Sequence, residues 1–155
     1  MTKPLWAPWR LEYIAKADEE SECIFCNADR QLLVHHAERA LVLLNKFPYA
    51  SGHLLVAPAR HTGDFVSLDA DEAAEIHALA SQAIGALAQV YSPQGFNLGW
   101  NLGRIAGAGI LDHVHQHVVP RWAGDTNFMP VLADVKVLPE HLLETARRLR
   151  EAWPA

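Results

Sequence analysis

The chain has 155 residues, with 13 Lys or Arg against 18 Asp or Glu, a formal net charge of -5 at pH 7, and half its residues hydrophobic. That length is the size of one domain. The acidic balance without a basic stripe argues against a duplex nucleic-acid partner, and no apolar run approaches the ~20 residues that cross a bilayer.

The opening "MTKPLWAPWR" lacks the apolar core of a secretion signal, so a cytoplasmic protein with no membrane partner is expected. The stretch "LWAPWRLEYIAKADEES" joins two indoles, Trp6 and Trp9, to a short helical pattern. Those indoles pack either on a partner subunit or on the chain's own core. The two cysteines, Cys23 and Cys26, both lie in "ECIFCN". A C-x-x-C pair in this context points to metal or redox chemistry more than to a structural disulfide, and buried free thiols are the plain alternative.

"QLLVHH" and "ALVLLN" read as a hairpin, and "HLLVAP" as a third strand ended by Pro58. "LDADEAAEIHALASQAIGALAQVY" is the long helix, with Asp69 as N-cap, Glu72 as its capping-box partner, and Ile76, Leu79, Ala80, Ala83, Ile84 and Leu87 at helical spacing. His77 on this helix reads as a surface or packing residue. "GFNLGWNLG" is a fourth strand and a candidate sheet edge, and the glycines of "RIAGAG" admit a turn. A final helix is expected from about Pro139 to Ala152, with His141 on the surface and Arg147, Arg148 and Arg150 near its C-terminus. Mostly strands, with one long helix before the last two, predict an α+β fold around an antiparallel sheet.

The remaining strand, "LDHVHQHVVPRW", sets His113, His115 and His117 at alternate positions. In an extended strand they share one face, with Val114, Gln116 and Val118 on the other. The valines and Pro120, taken as a stop, favour the strand reading. Such a row of imidazoles serves a metal site or a nucleophile with helpers, or is only polar decoration.

"HVHQHVVPRW", together with "LLNKFPYASGHLLVAPARH" and "NLGRIAGAG" in the same order, resembles the histidine-triad (HIT) family over nearly the whole chain. The "LWAPWR" start and the "PRWAGDTNF" tail resemble its bacterial dinucleoside polyphosphate-cleaving members. The resemblance implies a single HIT domain over 1–155, with about five antiparallel strands, one long helix and a C-terminal helix, assembled as a homodimer through sheet edges. It implies cleavage of a nucleotide or dinucleoside polyphosphate at the α-phosphate, with His115 as nucleophile and His117 stabilising charge on the leaving oxygen. Asn101 and amides around Gly107 would meet phosphate oxygens, Asn45 would stand near the ribose, and His53 would support the nucleotide strand. Arg121 and Trp122 are further substrate candidates. The resemblance also implies a structural zinc held by Cys23, Cys26, His61 and His113, with His35, His36 and His53 as competing residues. Where many members carry Gln then Ser or Thr before the triad, this chain has "AGAGILDH". That departure keeps a nucleotide-binding regulatory protein and a phosphoramidase as alternatives.

Overall fold

The computed structural model describes residues 22–125 and 138–155. Five strands, β1 Leu33–His36, β2 Ala40–Leu44, β3 Leu54–Pro58, β4 Gly95–Trp100 and β5 Gln116–Arg121, form one sheet in the order β1-β2-β3-β5-β4. Every neighbouring pair is antiparallel. The α+β architecture expected from the sequence is present, while Trp6, Trp9 and the "TNF" end of the tail lie outside the described residues.

Helix α1, Ala70–Tyr91, begins as its sequence dictates: the Asp69 carboxylate accepts the Glu72 N–H at 2.8 Å, and the Glu72 carboxylate accepts the Asp69 N–H at 3.0 Å. Its Ile76, Leu79, Ala80, Ala83 and Leu87 are buried against β2, β3 and β5, with Ile84 half-buried and His77 exposed. β2 and β3 are buried along their whole length, which makes them the centre of the core.

The C-terminal helix α2 runs Leu142–Glu151, shorter than expected, because His141 is its N-cap: the imidazole accepts the Leu143 N–H at 3.3 Å. So His141 is exposed but holds a cap. α2 covers the β1 end of the sheet, where Arg150 donates to the carbonyls of Gln31 and Leu33. β4 is the opposite edge, and Leu98 on it is exposed.

Two expectations for the histidine strand change. Regular β structure starts only at Gln116, so His117 alone of the three lies in β5. Pairing with β3 ends at Val56 opposite Gln116, and upstream the Val114 N–H turns to the Thr62 carbonyl at 2.7 Å. Pro120 does not stop the strand, which continues to Arg121. By Pro120, β5 has run past its pairing with β3, where a residue lacking an N–H is tolerated. The buried Oε1 of Gln116 has no hydrogen-bond partner among the described residues.

Candidate active site

All three histidines are buried, His113 completely, and each ring has a partner that decides where its proton sits. A carbonyl only accepts, so the ring nitrogen facing one must carry the hydrogen. His113 Nε2 lies 2.8 Å from the Pro58 carbonyl, and His115 Nδ1 lies 2.8 Å from the His113 carbonyl. His113 therefore has its lone pair on Nδ1, and neutral His115 has its own on Nε2.

The third ring is set from further away. The Tyr49 backbone N–H donates to His53 Nδ1 at 3.0 Å. Asn45 points its amide nitrogen at the same atom, 3.3 Å away, because its Oδ1 accepts the Phe47 N–H. His53 Nδ1 is thus an acceptor, its proton sits on Nε2, and Nε2–H donates to His117 Nδ1 at 2.9 Å. The proton of neutral His117 is left on Nε2; Asn101 Nδ2, itself a donor, stands 3.4 Å from it, so the amide accepts that proton only when it is turned to present Oδ1. His53 is fully buried and reaches His117 because β3 opposite β5 places Leu55 across from His117. Tyr49 stacks on His53 with ring centroids 4.7 Å apart.

At the other end of the row, Cys23 Sγ is 3.1 Å and Cys26 Sγ 3.7 Å from His113 Nδ1, while Cys26 Sγ is 3.3 Å from His61 Nδ1. All four ligand atoms lie within 4.8 Å of one another. Tetrahedral zinc with bonds of about 2.3 Å to sulfur and about 2.0–2.1 Å to nitrogen separates its ligands by about 3.3–3.8 Å. The three close contacts come near that spacing, so the donor set takes such an ion once the wider pairs, within 4.8 Å, draw in. Both imidazoles also have outer partners of the kind that orient metal ligands: the Pro58 carbonyl for His113, and Asp112, 3.5 Å from His61 Nε2. Burial pushes the pKa of His113 below the ordinary imidazole value, against the pull of the Pro58 carbonyl, which keeps Nδ1 available. Desolvation and then the neighbouring Cys23 push the Cys26 thiol up, so Cys26 keeps its proton until a cation compensates.

Local structure brings these residues together. The cysteine turn is closed by the Asn27 N–H on the Cys23 carbonyl at 2.9 Å. At Gly63 a Cβ would fall onto the Leu111 carbonyl oxygen, so only glycine lets the turn after His61 lie against the segment entering His113. Arg60 then ties this corner to α1: it donates to both Glu72 oxygens, at 2.8 and 2.9 Å, and to the Ser67 carbonyl at 3.1 Å. Arg60 holds the Glu72 carboxyl down to about 2.

The remaining sequence candidates have these positions. Gly107 takes φ +95°, and the N–H groups of Ala106, Gly107 and Ala108 are donated within the loop to the Gly103 and Arg104 carbonyls. Arg121 pairs with Asp125 at 2.6 Å and with Asn97 at 2.7 Å, and Trp122 donates to the Tyr91 carbonyl at 3.3 Å. His35 stacks on Trp153, away from the cysteines, and His36 is exposed. Sequence reading missed Tyr49, Arg60, Gly63 and Asp112; only Asp112 carried a local signal, as the neighbour of His113.

The HIT domain family model matches residues 28–124. An AP-4-A phosphorylase from Mycobacterium tuberculosis is 36% identical over 162 residues, spanning 96% of this chain and 83% of that protein. A Zn-bound histidine triad family protein from Mycobacterium smegmatis superposes with a TM-score of 0.67 at 27% identity, covering 84% of this chain and 91% of that one. The diadenosine triphosphate hydrolase of Plasmodium falciparum has the same fold, with a TM-score of 0.65 at 20% identity over 79% of this chain and 76% of that chain.

Proposed function

This chain belongs to the HIT domain family, and from that premise we propose that it cleaves dinucleoside polyphosphates at the α-phosphate through a nucleotidyl intermediate on His115. The observation that carries this reading is the His115 proton on Nδ1, held by the His113 carbonyl 2.8 Å away, which puts the lone pair on Nε2. Nε2 attacks the α-phosphorus as the bond to the bridging oxygen breaks, and the remaining phosphates leave with the electron pair. The ring keeps its Nδ1 proton and becomes cationic, which the His113 carbonyl dipole stabilises. His117 donates its Nε2–H to the phosphate oxygens as their charge develops, and Asn101 beside it holds the same group. An acceptor oxygen then attacks the phosphorus, the P–N bond breaks, and Nε2 regains its lone pair.

The similarity to an AP-4-A phosphorylase makes inorganic phosphate the acceptor to test first. Incubation with diadenosine tetraphosphate and phosphate is expected to give ADP and ATP, identified by mass; AMP and ATP without phosphate would mean a hydrolase. His115→Asn is expected to lower turnover at least ~1,000-fold with the fold and nucleotide binding retained. Unchanged turnover in that variant refutes the proposal. Thermal stabilisation by the nucleotide without any product from the native chain supports the regulatory reading instead.

Cys23, Cys26, His61 and His113 are assigned to one structural zinc, a reading supported by their spacing and by the Zn-bound relative. Four protein ligands leave no open position, so zinc when bound supplies stability and no chemistry. The outer edge of β4, with Leu98 exposed, is the proposed dimer seam. Leu98→Lys is expected to shift the mass measured by light scattering from dimer to monomer.

A further inference from the structure

The chain has two cysteines, so any disulfide within it joins Cys23 to Cys26. Both are free thiols, Cys26 exposed and Cys23 half-buried, which opens the pair to solvent. They stand three apart in one turn, closed by the Asn27 N–H on the Cys23 carbonyl at 2.9 Å. Side chains at that spacing lie about 5–6 Å apart at Cβ, and a disulfide needs about 3.5–4.5 Å there. Both sulfurs converge on one atom, His113 Nδ1, at 3.1 and 3.7 Å, and lie within 4.8 Å of each other. Passing from dithiol to disulfide therefore takes a rotation of two side chains and a slight closing of the turn.

The atom they converge on belongs to a residue that also reaches the nucleophile. His113 is fully buried; its Nδ1 faces the sulfurs, and its backbone carbonyl receives the His115 Nδ1–H at 2.8 Å. One residue thus links the thiols to the bond that sets the His115 proton.

We propose that Cys23 and Cys26 form a redox modification site, in which a low-molecular-weight disulfide converts the pair to an internal disulfide, releases the metal and slows turnover at His115 through His113. This rests on the readings of the four-residue corner as a zinc site and of His115 as the nucleophile. Cys26 Sγ attacks one sulfur of the small disulfide, whose other sulfur leaves with the electron pair and takes up the thiol proton. Cys23 Sγ then attacks Cys26 Sγ, the mixed disulfide breaks, and the second small thiol leaves in the same way. Two protein thiols lose two electrons and two protons, and the small disulfide becomes two thiols. With the sulfurs joined, only His61 and His113 remain of the ligand set, too few for a closed tetrahedral site.

The test incubates the zinc-loaded native chain with oxidised glutathione, reading released zinc with a chromogenic chelator and the bridge by intact mass. Bridge and zinc release are expected to rise together, with turnover down at least ~10-fold and restored by dithiothreitol and zinc. Cys26→His keeps four ligands but cannot form the bridge, and is expected to hold zinc through the same treatment. If that variant does not fold, the mass and zinc release of the native chain decide alone. Retained zinc with two reduced thiols, or a mixed disulfide that never closes, overturns the proposal, as does a bridged chain with unchanged turnover. Imidazole nitrogen NMR of the bridged chain is expected to show a changed His115 Nδ1–H signal, and an unchanged one overturns the link through His113. None of the mass, zinc and NMR readouts needs substrate, so they decide the site even if His115→Asn shows that no nucleotidyl intermediate forms. A chain that takes up no zinc refutes the metal reading by that count, and the bridge and the His115 signal still decide the link.

Discussion

His113 and His117 flank His115 at equal distance in sequence and present opposite nitrogens. His113 gives its Nε2–H to the Pro58 carbonyl and turns a bare Nδ1 toward two sulfurs. His117 accepts at Nδ1 from His53 and carries its proton on Nε2, toward Asn101. One residue type becomes a Lewis base at one end and a hydrogen-bond donor at the other. The choice is made by backbone groups, a carbonyl in the first case and the Tyr49 amide acting through His53 in the second.

His113→Ala tests that division most severely. It removes a ligand and opens a cavity at a fully buried position, so stability should fall by roughly 3–5 kcal/mol in urea titrations, with bound zinc near zero. Retained zinc would break the assignment of this end. His53→Phe addresses the other end by removing the donor to His117, which frees that ring to take the other tautomer. A loss of about 10- to 100-fold in kcat is expected with zinc content intact, since a wrong tautomer costs orientation of the donor.

Glu72→Gln loosens the tie between the metal end and α1, at a cost of roughly 1–3 kcal/mol. Its pH dependence has a definite sign. The carboxyl sits at about 2 in the folded chain against an ordinary value of 4.5, so its stabilisation is fully present above about 4.5 and is lost as pH falls toward 2. The difference in urea midpoint between the native chain and Glu72→Gln should therefore shrink over that interval; a constant difference would remove the ion pair as its cause. The mildest change is Asp112→Asn, which weakens the outer partner of His61 and should reduce zinc affinity by about tenfold in competition with a chelator. Turnover at saturating zinc should stay unchanged, since among the described residues the Asp112 carboxylate pairs with His61 at the metal end.

Much of this site could be read from local pattern. The capping box of Asp69 and Glu72, the helical spacing from Ile76 to Leu87 and the C-x-x-C pair each involve residues a few positions apart, and those contacts form wherever the segment does. The same reading gave Pro120 as a strand stop and extended β structure back to His113, because it had no means of seeing that β5 outruns β3 or that Val114 bonds to Thr62. No local pattern carried the contact of the Asn45 amide nitrogen with His53, which the folded loop makes at 3.3 Å.

The sequence by itself determined the elements, their order and the residue types available for chemistry, since periodicity, caps and turn formers act through neighbours within one or two turns of chain. Tertiary structure decided which atoms meet and which nitrogen holds each proton. Cys23 reaches His113 across 90 positions, and His53 reaches His117 across 64. The second depends on the antiparallel register of β3 on β5, and the segment entering His113 is seated by a backbone approach at Gly63 too close for a side chain.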